Sequence, residues 1–197
     1  MKLPLSWLSA YMAPPPVADM AARLTEIGHM VDGPLQGTPD EPVIPLEIRQ
    51  NRPDCLSILG LAREVAAAFG LQAPAVSLAA LPSDPRPLPA GDDQLLMLRL
   101  DGVRLDELPA PMLSRLEQYG QRPIHPLVDL ANYVMIELGQ PLHIYEASAV
   151  DLPTMAVRPG RAGERLDLLD GTTAALTSDD LVVADRGGVL ALAGVMG

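Results

Sequence analysis

Positive charge and cysteine are scarce in this sequence. The 197 residues contain 14 lysines and arginines against 25 aspartates and glutamates, which gives a net charge of −11, and Lys2 is the only lysine. Because phosphate contacts need clustered positive charge, this balance excludes RNA binding through bulk electrostatics, and any contact with RNA would have to be local or made by a partner chain. Cys55 is the only cysteine, which excludes an internal disulfide and favours a reducing cytoplasm.

Several functional signatures are also missing. No apolar run approaches the ~20 residues of a membrane span, and the N-terminus lacks the segments of a signal peptide, so we expect a cytoplasmic protein without membrane contact. No G-x-x-x-x-G-K-[ST], G-x-G-x-x-G or G-x-S-x-G motif occurs, so we expect no cofactor in this chain. The histidines lack metal-ligand spacing, and Cys55 has no histidine nearby in sequence. We therefore expect neither a metal site nor a cysteine nucleophile.

The residues that are present predict an α+β fold in two parts. Apolar residues make up 48% of the chain, enough for a substantial core, and the proline-rich residues 74–93 read as a linker. We expect a small N-terminal packing unit of helices with few strands over residues 1–80. A larger unit is expected over residues 90–197, in which a β-sheet packs against the two helices around residues 112–138.

Periodicity and turn residues predict the individual elements. Pro45 predicts an edge strand, Asp54 a helix N-cap, and Asp170-Gly171 a hairpin with a primed turn. Arg63 and Glu64 indicate a solvated helix face. The predicted helices cover residues 17–27, 58–69, 112–119 and 127–138, and the predicted strands cover residues 43–48, 95–104, 155–158, 165–169, 172–176, 181–184 and 189–193.

The stretch from residue 122 to residue 146 is the leading candidate for a site. It joins an apolar-periodic helix to loops that carry several polar residues, and buried polar groups need partners. His143 follows the end of the helix, between Gln140 and Glu146, and is the best candidate for chemistry. The alternative is a histidine that hydrogen-bonds to backbone in a structural loop.

Four segments of the sequence resemble the N-terminal part of the bacterial phenylalanyl-tRNA synthetase β subunit. They occur in the family's order and span nearly the whole chain. The segments are LSWLSAYM (5–12), NRPDCL (51–56) with GLARE (60–64), NYVM (132–135) with GQPLH (139–143), and LDG (169–171) with LAGVMG (192–197). The sequence also departs from the family at two places. The short connector 32–42 replaces the family's OB-fold insert, and Ala131 stands where the family has threonine.

The resemblance implies an editing module that hydrolyses mischarged tyrosyl-tRNA(Phe). It implies His143 as the catalytic residue and a substrate-binding region that includes Ala131, Asn132, Gln140 and Glu146. Aminoacylation is not expected from this chain alone, because the family's α subunit carries it out with ATP and magnesium. An α-type synthetase subunit is therefore the implied partner, and tRNA would be bound weakly or through that partner.

The resemblance also implies that parts of this editing site are missing. The family's acidic residue that recognises the tyrosine hydroxyl lies beyond the final Gly-Val-Met-Gly, and Ala131 lacks a hydroxyl. We therefore expect hydrolysis by this chain alone to be weak or absent. Two alternatives stay open, namely a β-subunit fragment or minimal editing protein, and a non-catalytic paralogue that binds a partner or a free amino acid.

Overall fold

Helices and strands follow one another in groups, with the helices of residues 58–138 before the run of strands over residues 156–192. The strand pairs that the structure describes are all antiparallel, which confirms the predicted α+β class. A computed structural model describes residues 1–76, 95, 97–104 and 106–194. The helices are α1 (Leu5–Leu8), α2 (Val17–Glu26), α3 (Ile58–Phe69), α4 (Ala110–Tyr119) and α5 (Pro126–Leu138), with 3-10 turns at Pro53–Cys55 and Leu152–Thr154. The strands are β1 (Lys2–Pro4), β2 (Met30–Val31), β3 (Gln36–Gly37), β4 (Pro42–Glu47), β5 (Ala156–Pro159), β6 (Arg165–Asp167), β7 (Thr173–Ala175), β8 (Leu181–Asp185) and β9 (Gly188–Leu192).

The chain divides into two compact units that differ from the predicted domains 1–80 and 90–197. The first unit combines Met1–Leu78 with Arg104–Ile144, and the second combines Ala79–Val103 with Tyr145–Gly197. The prediction that α4 and α5 pack on the sheet of the second part is therefore wrong. Both helices belong to the first unit.

The core of the first unit explains this difference. Leu116 of α4 and Tyr133 and Ile136 of α5 are almost fully buried, and they join Trp7 and Ile58 in one hydrophobic cluster. Helical spacing identifies the apolar face of α4 and α5, but it carries no information about the surface that this face covers. Tertiary packing made that choice.

Strand β4 lies inside the sheet of the first unit, whereas Pro45 predicts an edge strand. β1 pairs along one side of β4, and on the other side the short strands β2 and β3 pair with its two ends. The amide of Leu46 donates to Met1 O at 2.8 Å, so alternation directs the nitrogen of Pro45 toward the other side, where Asp32 follows β2 and uses Pro45 only as an acceptor, with its amide 2.9 Å from Pro45 O. A proline is accepted there because no strand amide is required of it.

Ser57, and not Asp54, is the N-cap of α3. Ser57 has an extended backbone, and its Oγ accepts a hydrogen bond from the amide of Gly60 at 3.0 Å. Asp54 lies in the preceding 3-10 turn instead. The Pro-Asp pair starts a turn, and the helix begins only after that turn closes.

The second unit is built from antiparallel strands, as predicted. β5, β8 and β9 form a three-stranded sheet with β8 in the centre, and β6 pairs with β7 as a hairpin. The hairpin turn differs from the prediction, because its loop spans residues 168–172 and Asp170 does not adopt the positive φ that a primed turn requires. The Asp170 carboxylate accepts hydrogen bonds from the amide and hydroxyl of Thr172, which stabilises the longer loop.

The predicted strand over residues 95–104 is wrong for the part that the structure describes. Residue 95 and residues 97–104 form no strand, and the side chains of Leu98, Leu100 and Val103 are exposed, with Leu100 at 66%. Alternating apolar residues form a strand only where a partner strand is available. Most of the predicted linker 74–93 and residues 195–197 lie outside the described residues. Within the described ranges, no helix is long and apolar enough to cross a membrane.

Candidate functional site

Helix α5 presents the residues that the sequence analysis selected, and local signals set both its ends. His125 is the N-cap, with its Nδ1 accepting a hydrogen bond from the amide of Leu127 at 3.3 Å, and Pro126 occupies the first turn. Gly139 ends the helix in the left-handed conformation, with φ of +76°. The predicted helix 127–138 is therefore confirmed, and the loop with His143 begins directly at its C-terminal cap.

One polar residue of α5 has a structural role. The side chain of Asp129 is 5% exposed, and its carboxylate accepts hydrogen bonds from the amide of Ile124 at 3.0 and 3.3 Å. This contact joins the loop before α5 to the first turns of the helix. The buried carboxylate of Asp129 therefore finds its hydrogen-bond partner within the same stretch of chain, as a buried polar group requires.

An aromatic and charged network holds the middle of α5 in the core of the first unit. Trp7 stacks on Tyr133 with ring centroids 4.7 Å apart, and Trp7 Nε1 donates to Glu137 at 3.4 Å. Arg115 of α4 donates to the Tyr133 hydroxyl at 2.6 Å. Burial raises the pKa of Tyr133, so its hydroxyl stays protonated, and burial together with the nearby Glu137 carboxylate raises the pKa of Tyr11.

The five predicted site residues are divided between the two units. Ala131 and Asn132 are half-buried on α5, whereas Gln140 and His143 are exposed in the following loop, all within the first unit. The side-chain amide of Gln140 donates to Gly139 O at 3.3 Å. Glu146 belongs to the second unit, where its carboxylate accepts a hydrogen bond from the Ser148 hydroxyl at 2.6 Å.

A second polar cluster, which the sequence analysis missed, lies beside α3. We call it the Arg52 cluster, and its members are His29, Arg52, Asp54, Cys55 and Glu64. The Arg52 guanidinium donates to Glu64 at 2.6 and 2.9 Å and to Asp54 at 2.8 Å, and it lies 3.1 Å from Cys55 Sγ. His29 is 1% exposed, and its Nε2 lies 3.2 Å from Glu64 Oε1 and 3.8 Å from Cys55 Sγ.

The Arg52 cluster is an ion-pair network, in which one arginine pairs with two carboxylates. Hydrogen bonds from Arg52 lower the pKa of Asp54 to about 2 and also lower the pKa of Glu64. Burial raises the pKa of Cys55 to about 12, so the thiol stays protonated at neutral pH. Although His29 contacts Cys55, this thiol is a poor nucleophile.

The Arg52 cluster also contains three groups that could ligate a metal ion. Donor atoms of His29, Cys55 and Glu64 all lie within 4.8 Å of one another. The guanidinium of Arg52 lies within hydrogen-bond distance of all three groups, so a positive charge already occupies this position. The donor set therefore fits an arginine-neutralised network better than a metal site.

Sequence separation explains why this cluster was missed. His29 lies 26 positions before Cys55, and Arg52 lies 12 before Glu64, so no local spacing connects them. The predicted solvated face is confirmed for Arg63, which is exposed, and it is wrong for Glu64, whose side chain is 19% exposed and paired.

Comparison with known proteins supplies the family. The family model of the B3/4 domain matches residues 94–197, which is more than half of the chain. The chain belongs to the B3/4 domain family. It is 44% identical over 167 residues to the phenylalanine–tRNA ligase β subunit of Nitratidesulfovibrio vulgaris, which covers 80% of this chain and 21% of that subunit. The corresponding subunit of Carboxydothermus hydrogenoformans is 38% identical over 168 residues, with the same coverage.

The chain thus spans 21% of the length of these relatives. Among solved structures, it is similar to a crystal structure of an N-terminal fragment of the phenylalanyl-tRNA synthetase β subunit from Pyrococcus horikoshii. The TM-score is 0.48 and the identity 14%, with coverage of 100% of this chain and 62% of that fragment. A similarity at this distance supports no argument about function.

Proposed function

We propose that this chain acts as the editing part of a phenylalanine–tRNA ligase β subunit. Its reaction is the hydrolysis of the ester bond in mischarged tyrosyl-tRNA(Phe). Support comes from the B3/4 family match and from relatives that are named phenylalanine–tRNA ligase β subunits. The structural observation that carries the proposal is the exposed His143, four residues after the glycine cap of the half-buried α5.

The chemistry of ester hydrolysis gives each residue a role. Water attacks the ester carbonyl carbon, and the imidazole of His143 accepts a proton from that water as a general base. The tetrahedral intermediate then collapses to free tyrosine, and the proton held by His143 passes to the departing ribose oxygen of the tRNA. The side-chain amides of Asn132 and Gln140 are donors that can stabilise the developing oxyanion or orient the substrate. Ala131 precedes Asn132 on α5, and its methyl group is proposed to line the substrate region. Glu146 belongs to the second unit, and the proposal does not depend on it.

Selection of tyrosine over phenylalanine depends on one hydroxyl group. A site with a polar partner for that hydroxyl rejects the amino acid that lacks it far more strongly than an apolar pocket could. In this proposal, the ATP- and magnesium-dependent aminoacylation belongs to an α-type subunit. The chain described here supplies only hydrolysis.

A second candidate function is binding to a partner without catalysis. The net charge of −11 opposes strong contact with tRNA phosphates. Exposed apolar side chains also flank the His143 loop, with Leu142 at 54% and Ile144 at 46% exposure. These two observations favour contact with a protein such as an α-type subunit.

Deacylation of tyrosyl-tRNA(Phe) distinguishes the two functions. We expect the wild-type chain to release tyrosine only slowly, because Ala131 supplies no hydroxyl group, and we expect H143A to lose about 10²-fold or more of that rate, the usual contribution of a general base. H125N is the matched control, because asparagine remains a good N-cap for α5 while a histidine is removed. If the wild-type chain is folded but no faster than H143A, the catalytic proposal is wrong, and binding of an α-type subunit becomes the function to measure.

A further inference from the structure

Two segments singled out in the sequence meet at the C-terminal end of α5. A methyl group added at Gly139 would lie 3.3 Å from Ser57 Cβ and 3.5 Å from Ser57 Oγ, so the glycine backbone packs closely on the serine side chain. We propose that the contact between Ser57 and Gly139 positions the loop of residues 140–143 and thereby orients His143. The functional meaning of this contact rests on the role proposed above for His143, but the positioning can be measured independently of activity.

The backbone of Gly139 makes this contact specific. The amide of Gly139 donates to Met135 O at 2.8 Å, and its φ of +76° turns the chain away from the helix axis. A residue with a Cβ would be strained at this φ and would also meet Ser57. The direction in which the loop leaves α5 is therefore set by the helix cap and by the surface below it.

The surface below Gly139 is held firmly. Ser57 is 4% exposed, and its Oγ accepts the hydrogen bond from Gly60 that caps α3. Gly60 lies so close to the carbonyl oxygen of Asp54 that a methyl group there would overlap it. Arg52 joins Asp54 to Glu64 of α3, so the Arg52 cluster ties the turn before Ser57 to the helix after it.

His143 lies close enough to Gly139 to respond to a displacement. Four residues separate them, and a fully extended chain of that length spans at most about 14 Å. All of these residues belong to the first unit. Ser57 is thus a positioning residue, which acts on His143 through the start of its loop.

NMR of the histidine side chains in the full 197-residue chain tests this proposal. The chain has three histidines, so each ring signal can be assigned by single substitution. G139A places a methyl group 3.3 Å from Ser57 Cβ, a tight contact that displaces one of the two by a few tenths of an ångström. G70A is the matched control, because Gly70 caps α3 at φ +64° with nothing within 4 Å of an added methyl group. Thermal unfolding of both variants measures the backbone strain that they share.

We expect G139A to shift the His143 signals and to leave the His125 signals at the other end of α5 in place. G70A should lower the unfolding temperature similarly without moving His143. The double variant S57G/G139A removes the side chain that the new methyl group contacts, and glycine remains an acceptable N-cap, so the His143 signals should return toward their wild-type positions. S57G alone removes the supporting surface and is expected to shift or broaden the His143 signals, which keeps the test decisive if G139A does not fold.

The proposal is overturned if G139A and G70A affect His143 equally, if S57G/G139A restores nothing, or if S57G leaves His143 unchanged. Deacylation rates of the same variants separate this proposal from the proposed function. If His143 moves but tyrosyl-tRNA hydrolysis does not depend on any variant, then the positioning contact holds and the catalytic role of His143 fails.

Discussion

Removal of Arg52 should destabilise the first unit more than removal of any exposed arginine. In R52M, Glu64 loses charged hydrogen bonds of 2.6 and 2.9 Å while its side chain is only 19% exposed. Such bonds contribute about 1.5–3 kcal/mol, whereas the pair with the 60% exposed Asp54 contributes about 0–1 kcal/mol. We therefore expect the free energy of unfolding to fall by about 2–3 kcal/mol.

Urea unfolding followed by tryptophan fluorescence measures this loss of stability in the first unit. Trp7 is the only tryptophan, and it is fully buried in the core of the first unit. R63M is the matched control, because Arg63 is exposed on the same helix as Glu64 and should change stability by less than about 0.5 kcal/mol. Equal unfolding midpoints for R52M and R63M would refute the energetic role of the Arg52 cluster.

The pH dependence of the same difference provides a second check. Arg52 lowers the pKa of Asp54 from 3.8 to about 2, and it lowers the pKa of Glu64 below 4.5. A carboxyl whose pKa is lower in the folded state stabilises the protein above its unfolded pKa, and it loses that contribution as pH falls through the folded pKa. The stability gap between wild type and R52M should be full at about pH 5 and shrink toward pH 2. A gap that stays constant over this range contradicts the ion-pair explanation.

Three further predictions follow from individual contacts. Y133F should lose about 1 kcal/mol in urea unfolding, because Arg115 loses its acceptor while the aromatic stack remains; unchanged stability contradicts this. Cys55 should react with a thiol reagent slowly in the native protein and rapidly in urea, because it is buried with its pKa raised to about 12; rapid native reaction contradicts this. D185A should speed amide exchange in β8 and β9, because the Asp185 carboxylate accepts hydrogen bonds from three backbone amides. D179A, at an exposed position, should leave this exchange unchanged, and equal effects of the two variants contradict the prediction.

Local sequence signals determine both ends of helix α5, which carries part of the candidate site. Pro126 begins the helix and Gly139 ends it, each for a reason of backbone geometry that needs no distant partner. The position of the His143 loop after this helix was predictable for the same reason. The catalytic role of His143 is a proposal that comes from the family resemblance, because periodicity alone provides none.

The Arg52 cluster illustrates the opposite case. His29, Arg52 and Glu64 come from separate segments, and their side chains meet only because α2 and α3 pack in one unit. Asp54 looked like a helix cap because its residue type suits one, but Ser57 occupies that position once the turn before α3 has closed. Local propensity identified the residues that could cap, and tertiary geometry selected among them.

The sequence by itself determined the α+β class, both ends of α5, the main strands of the second unit and the resemblance to the phenylalanyl-tRNA synthetase β subunit. These features depend on interactions between residues that are close in the chain, or on motifs that are readable as such. Only the tertiary structure decided that α4 and α5 join the first unit, that β4 is central, and that Arg52, His29 and Glu64 meet. An apolar face must be covered, but which surface covers it depends on the whole chain.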